Sequence, residues 1–78
     1  MARTPSSIEI LAEMVANVLS VDCEVGDTVG AGDTVVLLES MKMEIPVLTE
    51  HPGTVTAIKV TAGDVVQEGD VLVVLAPF

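Results

Sequence analysis

The sequence lacks most of the residues from which catalytic and metal sites are built, and it carries little positive charge. Only one of the 78 residues is aromatic, and there is one cysteine and one histidine. The lone Cys23 excludes an intrachain disulfide, and no Cys/His metal cluster can be assembled. Three basic residues against twelve acids give a net charge of −9. Nucleic acid and anionic membrane surfaces, which require basic patches, are therefore not expected partners.

Long apolar runs are also missing, since none approaches the roughly 20 residues needed to span a bilayer. Met1–Ser7 has no signal-peptide core and predicts a short flexible N-terminal lead. The length allows one domain, expected over residues 8–78. A small domain without disulfides suits a reducing compartment, so we expect a cytoplasmic protein. We also expect the protein to be monomeric when isolated.

The residues that are abundant favour strands. Half of the sequence is apolar, and valine dominates that half, a composition typical of β-structure. The segment 25–38 matches the segment 62–75 at an offset of 37, with identical residues at seven of fourteen positions. Glycine-aspartate pairs recur in both copies, where they predict turns. An all-β fold of two similar halves, related by a pseudo-two-fold axis, is therefore predicted.

The repeat also predicts the strands and their irregularities. Apolar residues at Val55, Ile58 and Val60 are spaced by three and then two, so a bulge is expected near Ala57 and at the equivalent place in the first copy. Such bends favour a curved, barrel-like sandwich. Cys23 occupies the position of Val60 and is predicted to be a small core residue. The predicted strands are Ile8–Leu11, Val15–Val21, Thr28–Val29, Thr34–Ser40, Met43–Leu48, Gly53–Val60, Val65–Val66 and Val71–Leu75.

One segment between the two copies breaks the local rules. Glu39-Ser-Met-Lys-Met-Glu44 is flanked by apolar strand patterns, so a tight hairpin turn is expected at Met41-Lys42. Two-residue hairpin turns favour Asn-Gly or Asp-Gly, because one or both central residues need positive φ. Exposed methionines at such a turn are also unfavourable unless another protein binds them. A violation of this kind marks a candidate functional site.

The segment resembles the attachment motif of biotinyl domains, in which a lysine lies between two methionines at a β-turn. The resemblance covers about residues 10–76 and implies a flattened barrel of two four-stranded sheets with quasi-two-fold symmetry. It identifies Lys42 as the biotinylated lysine, and Met41 and Met43 as its flanking recognition residues. Ser40 stands where the family usually has alanine. Ala12-Glu-Met-Val-Ala16 stands where the family often has Ala-Pro-Met-Pro-Gly.

The resemblance implies a carrier and not an enzyme. A biotin protein ligase would join biotin to Lys42 through an amide, and biotin would then carry a carboxyl group from a biotin carboxylase site to a carboxyltransferase site. The carrier would supply the arm, and the cofactor the chemistry. No thumb-like insertion and no Pro/Ala-rich linker is present, so a stand-alone domain is expected.

Other functions stay open at this point. A lipoyl-type carrier of acyl groups or reducing equivalents shares the fold, although lipoyl domains typically present Asp-Lys-Ala at the tip. An unmodified adaptor module of the same fold would not depend on Lys42. Lys59 alternates with apolar residues and is expected on a solvated face, and His51 in an exposed turn. Met14 is expected in the core or at its rim. The aspartates of the repeated turns favour turn formation over calcium binding: Asp27, Asp33, Asp64 and Asp70.

Overall fold

The computed structural model of the chain describes residues 7–78, which form eight β-strands and no helix. The all-β prediction is therefore confirmed. No helix that is long and apolar enough to cross a membrane occurs in this part of the chain. Residues 1–6, which make up most of the predicted N-terminal lead, lie outside the described residues. The strands are β1 (Ile8–Leu11), β2 (Ala16–Val21), β3 (Thr28–Val29), β4 (Thr34–Ser40), β5 (Met43–Leu48), β6 (Gly53–Ile58), β7 (Val65–Val66) and β8 (Val71–Pro77).

The strands form two antiparallel four-stranded sheets, as predicted. One sheet has the order β1-β8-β6-β3, and the other has the order β5-β4-β2-β7. Replacing every strand of the first sheet by its repeat equivalent, 37 residues away, gives the order of the second. Each sheet therefore takes two strands from each copy. Because the copies are interleaved in this way, neither copy forms a four-stranded sheet without the other.

The core between the sheets is aliphatic and follows the same repeat. Its residues fall in equivalent pairs such as Val18 and Val55, or Leu38 and Leu75, and each of these four is at most 2% exposed. Apolar burial of this kind contributes about 25 cal/mol per Å² removed from water, and ten of the thirteen buried apolar residues fall in such pairs. The buried apolar residues are Ala12, Ala16, Val18, Cys23, Val29, Val35, Val36, Leu38, Val55, Val66, Leu72, Val73 and Leu75.

Both predicted bulges are present. The pairing register shifts between Val55 and Ala57 where β6 meets β8, and between Val18 and Ser20 where β2 meets β4. Three strand ends differ from the prediction by one or two residues. β2 begins one residue later because Val15 is exposed in a bend. β6 ends at Ile58, before Val60, and β8 continues to Pro77, which pairs with Gly53.

Four aspartates close the repeated turns, as the sequence predicted. In every case one carboxylate oxygen, Oδ2, accepts a hydrogen bond from a backbone N–H three residues earlier, at 2.8 to 2.9 Å. The glycine that precedes each aspartate has a positive φ between 92° and 98°, which a residue with a Cβ rarely adopts. These carboxylates are used in turn formation. They are Asp27, Asp33, Asp64 and Asp70.

Removing one of these carboxylates is expected to lower the stability modestly. Asp64→Ala loses the 2.9 Å hydrogen bond from the Thr61 N–H, so the free energy of unfolding should fall by about 1 kcal/mol. Urea denaturation followed by circular dichroism measures this change. Glu68→Ala removes the same charge from an exposed residue of the neighbouring turn and should change stability by less than about 0.5 kcal/mol. Equal losses in the two variants would contradict the assigned role of the aspartate.

Candidate functional site

The hairpin between β4 and β5 joins the two copies and carries the predicted site. Ser40 pairs with Met43, so the loop consists of only Met41 and Lys42. The φ angles of these two residues are 53° and 64°. Positive φ at both central residues is the pattern of the type I′ turn, whose right-handed twist matches that of the flanking strands. The expectation of a two-residue turn at this position is confirmed.

The turn is built from residues that are poorly suited to it. Met41 and Lys42 are the only non-glycine residues with positive φ in the described part of the chain. Such conformations cost on the order of 1–3 kcal/mol each, and they persist where the surrounding structure enforces them. Here the six paired positions of β4 and β5 hold the turn. The residue types at this turn therefore disfavour the backbone conformation that the turn adopts, as expected of a segment that a partner protein binds.

The side chains of the tip project into solvent. Met41 is 91% exposed and Met43 is 65% exposed, and Lys42 between them is also exposed. Below the tip, Glu39 and Glu44 lie directly opposite each other across the hairpin. Like charges at opposed positions destabilise a strand pair, which is a second unfavourable feature of the same segment. The tip thus presents a primary amine between two thioethers, above a pair of carboxylates.

The two halves differ at one pair of repeat-equivalent positions, Gly53 in β6 and Ala16 in β2. A Cβ on Gly53 would lie 2.6 Å from the Ala76 carbonyl oxygen, so β6 and β8 approach too closely there for a side chain. The repeat equivalent of Gly53 is Ala16, which does carry a Cβ. Pairing of β6 with β8 includes Gly53, whereas pairing of β2 with β4 begins one residue later, at Asn17. The substitution of the family's usual glycine by alanine thus coincides with one fewer strand pair beside the hairpin tip.

Cys23 was predicted to be a core residue, and it is 6% exposed. Its Sγ donates a weak hydrogen bond to the Val35 carbonyl oxygen at 3.7 Å. Burial, and to a lesser extent the negative charges of Asp27 and Asp22, raise the pKa of this thiol. The thiolate is the reactive form, so burial and the raised pKa both disfavour Cys23 as a nucleophile.

Lys59 and His51 take the predicted places. Lys59 is exposed, and its backbone N–H extends the ladder by donating to the Leu72 carbonyl oxygen at 2.9 Å. His51 is exposed in a bend, where its carbonyl oxygen accepts a hydrogen bond from the Thr49 hydroxyl at 2.7 Å. Met14 is 37% exposed and is not among the residues that pack against the core, so the prediction that it lies in the core or at its rim is not confirmed. Within residues 7–78, no group of three or more His, Cys, Asp or Glu residues could hold a metal ion.

An open groove of about 620 Å³ runs between β1 and the end of β5, the two edge strands that the pseudo-symmetry relates. Leu11 and its repeat equivalent Leu48 line the groove, and Lys42 is not among its lining residues. A smaller adjoining groove of about 120 Å³ leads toward the hairpin and is lined by Met14 and Ile45. Sequence reasoning missed these grooves because they depend on how the two sheet edges meet, which no local pattern specifies.

Comparisons with known proteins agree with this geometry. The model of the family described as "Biotin-requiring enzyme" matches residues 2–75. The biotinylated protein TB7.3 homolog of Mycolicibacterium smegmatis is 65% identical over 40 residues, which cover 51% of this chain. The matched segment spans 56% of that relative, so only about half of the length of each protein is compared.

Solved structures extend the likeness to the whole fold. A domain within a single-chain, multi-domain long-chain acyl-CoA carboxylase superposes with a TM-score of 0.89 at 28% identity; the match covers 100% of this chain and 8% of that chain. The lipoyl domain of the 2-oxoglutarate dehydrogenase complex from Azotobacter vinelandii superposes with a TM-score of 0.67 at 27% identity, covering 95% of this chain and 91% of that chain. Biotinyl and lipoyl domains therefore share the fold described above.

Proposed function

This chain belongs to the "Biotin-requiring enzyme" family of biotinyl and lipoyl domains, and on that premise we propose that it is a biotin carboxyl carrier with Lys42 as its attachment site. The observation that carries the proposal is the position of Lys42. It occupies a strained two-residue turn, at a φ of 64°, between two exposed methionines and at the junction of two pseudo-symmetric halves.

The side chains at the tip fit a covalently bound cofactor. Biotin is joined to proteins through its carboxyl group, and the Lys42 amine is the acylable group of the tip. Lys42 is exposed at the apex of a loop of only two residues, so a ligase can reach it without unfolding the sheet. Met41 and Met43 flank it as exposed apolar contacts, and methionine is suited to binding surfaces that adapt to a partner.

In a carrier, the role of the described residues is to hold the cofactor and present it to other proteins. Bound biotin supplies the chemistry of carboxyl transfer, and the protein supplies a rigid hairpin that ends in a flexible lysine arm. Attachment keeps the cofactor at a high local concentration near whichever active site the tip enters. The paired strands β4 and β5 hold the base of the arm. In this proposal, therefore, catalysis belongs to the proteins that dock at the tip.

The proposed partners are a biotin protein ligase, a biotin carboxylase and a carboxyltransferase. The likeness to a domain of an acyl-CoA carboxylase supports the last two. The net charge of −9, with Glu39 and Glu44 opposed beneath Lys42, favours partners whose docking surfaces are basic. The single, buried and unpaired thiol of Cys23 suits a reducing compartment, and we place the carrier in the cytoplasm as a monomer when isolated.

A lipoyl-type carrier is the second candidate, because the fold also matches a lipoyl domain. Three observations favour biotin. The superposition on the carboxylase domain has the higher TM-score, 0.89 against 0.67. The relative with 65% identity over 40 residues is named a biotinylated protein, and Met41 and Met43 surround the lysine as in biotinyl domains.

Intact mass spectrometry distinguishes the two carriers. The chain is incubated in parallel with biotin, ATP and a biotin protein ligase, and with lipoate, ATP and a lipoate ligase. We expect one biotinyl group per chain in the first reaction, with capture on avidin, and no lipoyl group in the second. Lipoylation without biotinylation would replace the proposal by the lipoyl alternative. The absence of both modifications would favour the unmodified adaptor.

A further inference from the structure

We propose that Met41 and Met43 form an oxidation site through which peroxides switch off the acceptor function of Lys42. This inference rests on the proposed biotin attachment at Lys42. The modification is sulfoxidation of a thioether, and the reactant is hydrogen peroxide or an alkyl hydroperoxide. The site adds chemical sensitivity to the tip without any change in the fold.

The sulfur-containing side chains of the described residues differ widely in solvent exposure. Met41 is 91% exposed and Met43 is 65% exposed, whereas Met14 is 37% exposed and Cys23 only 6%. Peroxide must reach a sulfur lone pair, so accessibility sets the order of reaction. Cys23 is protected twice, because it is buried and because its raised pKa keeps it in the less reactive thiol form. Among the sulfurs of residues 7–78, the two next to Lys42 are therefore the first targets.

The step is a balanced two-electron oxidation. A lone pair of the methionine sulfur attacks one peroxide oxygen, the O–O bond breaks, and an S–O bond forms. Sulfur is oxidised to the sulfoxide, and hydrogen peroxide is reduced to water. The product is polar and chiral where the thioether was apolar and flexible, and methionine sulfoxide reductases reverse the reaction.

Oxidation of Met41 and Met43 should affect recognition by the ligase and leave the fold unchanged. Neither methionine belongs to the buried core, so the added oxygen introduces no unsatisfied polar group there. The hairpin is held by the pairing of β4 with β5, from Thr34↔Leu48 to Ser40↔Met43. A ligase that recognises the two thioethers would instead meet two sulfoxides, one on either side of the amine. We expect acceptor activity to fall while the fold is retained.

The test oxidises the carrier alone and then assays it. The chain is treated with hydrogen peroxide, desalted, and incubated with biotin, ATP and a biotin protein ligase. Peptide mass spectrometry should show about 16 Da added first at Met41 and Met43, then at Met14, with Cys23 unmodified. The initial rate of biotinylation should fall about tenfold or more, and methionine sulfoxide reductase should restore it. Circular dichroism should show the same melting transition before and after treatment.

Two variants distinguish the effect of oxidation at Met41 and Met43 from the effect of oxidation elsewhere in the chain. Met14→Leu should lose acceptor activity on oxidation as the wild type does. Met41→Leu/Met43→Leu, whatever its starting rate, should be insensitive to peroxide. Peroxide sensitivity in the double variant, or an unchanged rate when both tip sulfoxides are present, would overturn the switch. Faster oxidation of Met14 than of Met41 would overturn the site. A failure of the untreated chain to accept biotin would instead overturn the proposed function, and the switch with it.

Discussion

Replacing Lys42 with arginine is expected to abolish biotin attachment and to leave the fold intact. Arginine keeps the positive charge and a similar length, but its guanidinium group is not a nucleophile for acyl transfer. Lys42 is exposed and lies outside the core, so its replacement should change the free energy of unfolding by less than about 0.5 kcal/mol. Intact mass after incubation with a biotin protein ligase should show one biotinyl group on the wild type and none on Lys42→Arg.

Lys59→Arg is the matched control for this experiment. Lys59 is also exposed, but it follows the end of β6, and its backbone N–H continues the sheet ladder. This variant should accept one biotinyl group at Lys42, as the wild type does. Modification that persists in Lys42→Arg, or that is lost in Lys59→Arg, would show that Lys42 is not the attachment site.

Gly53→Ala is expected to destabilise the fold strongly for the addition of a single methyl group. Its Cβ would lie 2.6 Å from the Ala76 carbonyl oxygen and 3.4 Å from the Leu75 Cβ. The first contact is with backbone, so β6 and β8 must separate and their pairing must weaken. Overpacking of this kind costs about 1–3 kcal/mol, and in a domain of this size 2 kcal/mol corresponds to a melting temperature lower by roughly 10 °C. Differential scanning calorimetry measures the shift.

Gly30→Ala makes the same chemical change where there is room for it. A Cβ on Gly30 would meet only the Asp33 carboxylate, at an ordinary 3.8 Å, and its φ does not lie in the left-handed region. We expect the melting temperature to change by no more than about 3 °C. Similar shifts in the two alanine variants would mean that close approach of β6 and β8 does not explain the glycine at 53.

The strands and the bulges could be predicted because both depend on periodic patterns that occur twice, whereas the division into two four-stranded sheets was implied by the resemblance to biotinyl domains. The register shift at Val55 and Ala57 follows from apolar spacing alone, and the burial of Cys23 follows from its equivalence to an apolar valine. The candidate tip could be located for the opposite reason. Met41 and Lys42 are unsuited to a two-residue turn, yet the flanking strands require one.

Other features had no local signal. Whether one or both central residues of the turn take positive φ depends on the twist of β4 against β5, and both residues do. The close approach of Gly53 to the Ala76 carbonyl oxygen is a contact between distant segments. The groove lined by Leu11 and Leu48 exists only because the two edge strands meet. Such features depend on tertiary distances, which patterns in the sequence do not encode.

Because the two copies are interleaved, the domain resembles a symmetric dimer whose two subunits have been joined into one chain. Each of the eight strands pairs with a strand of the other copy, so a change in one copy also affects the strand pairing of the other. The Met41-Lys42 turn is the joint between the two halves and lies outside this pairing. Its sequence is therefore free to suit the proposed docking partners, while the paired strands on either side stabilise the strained backbone of the turn.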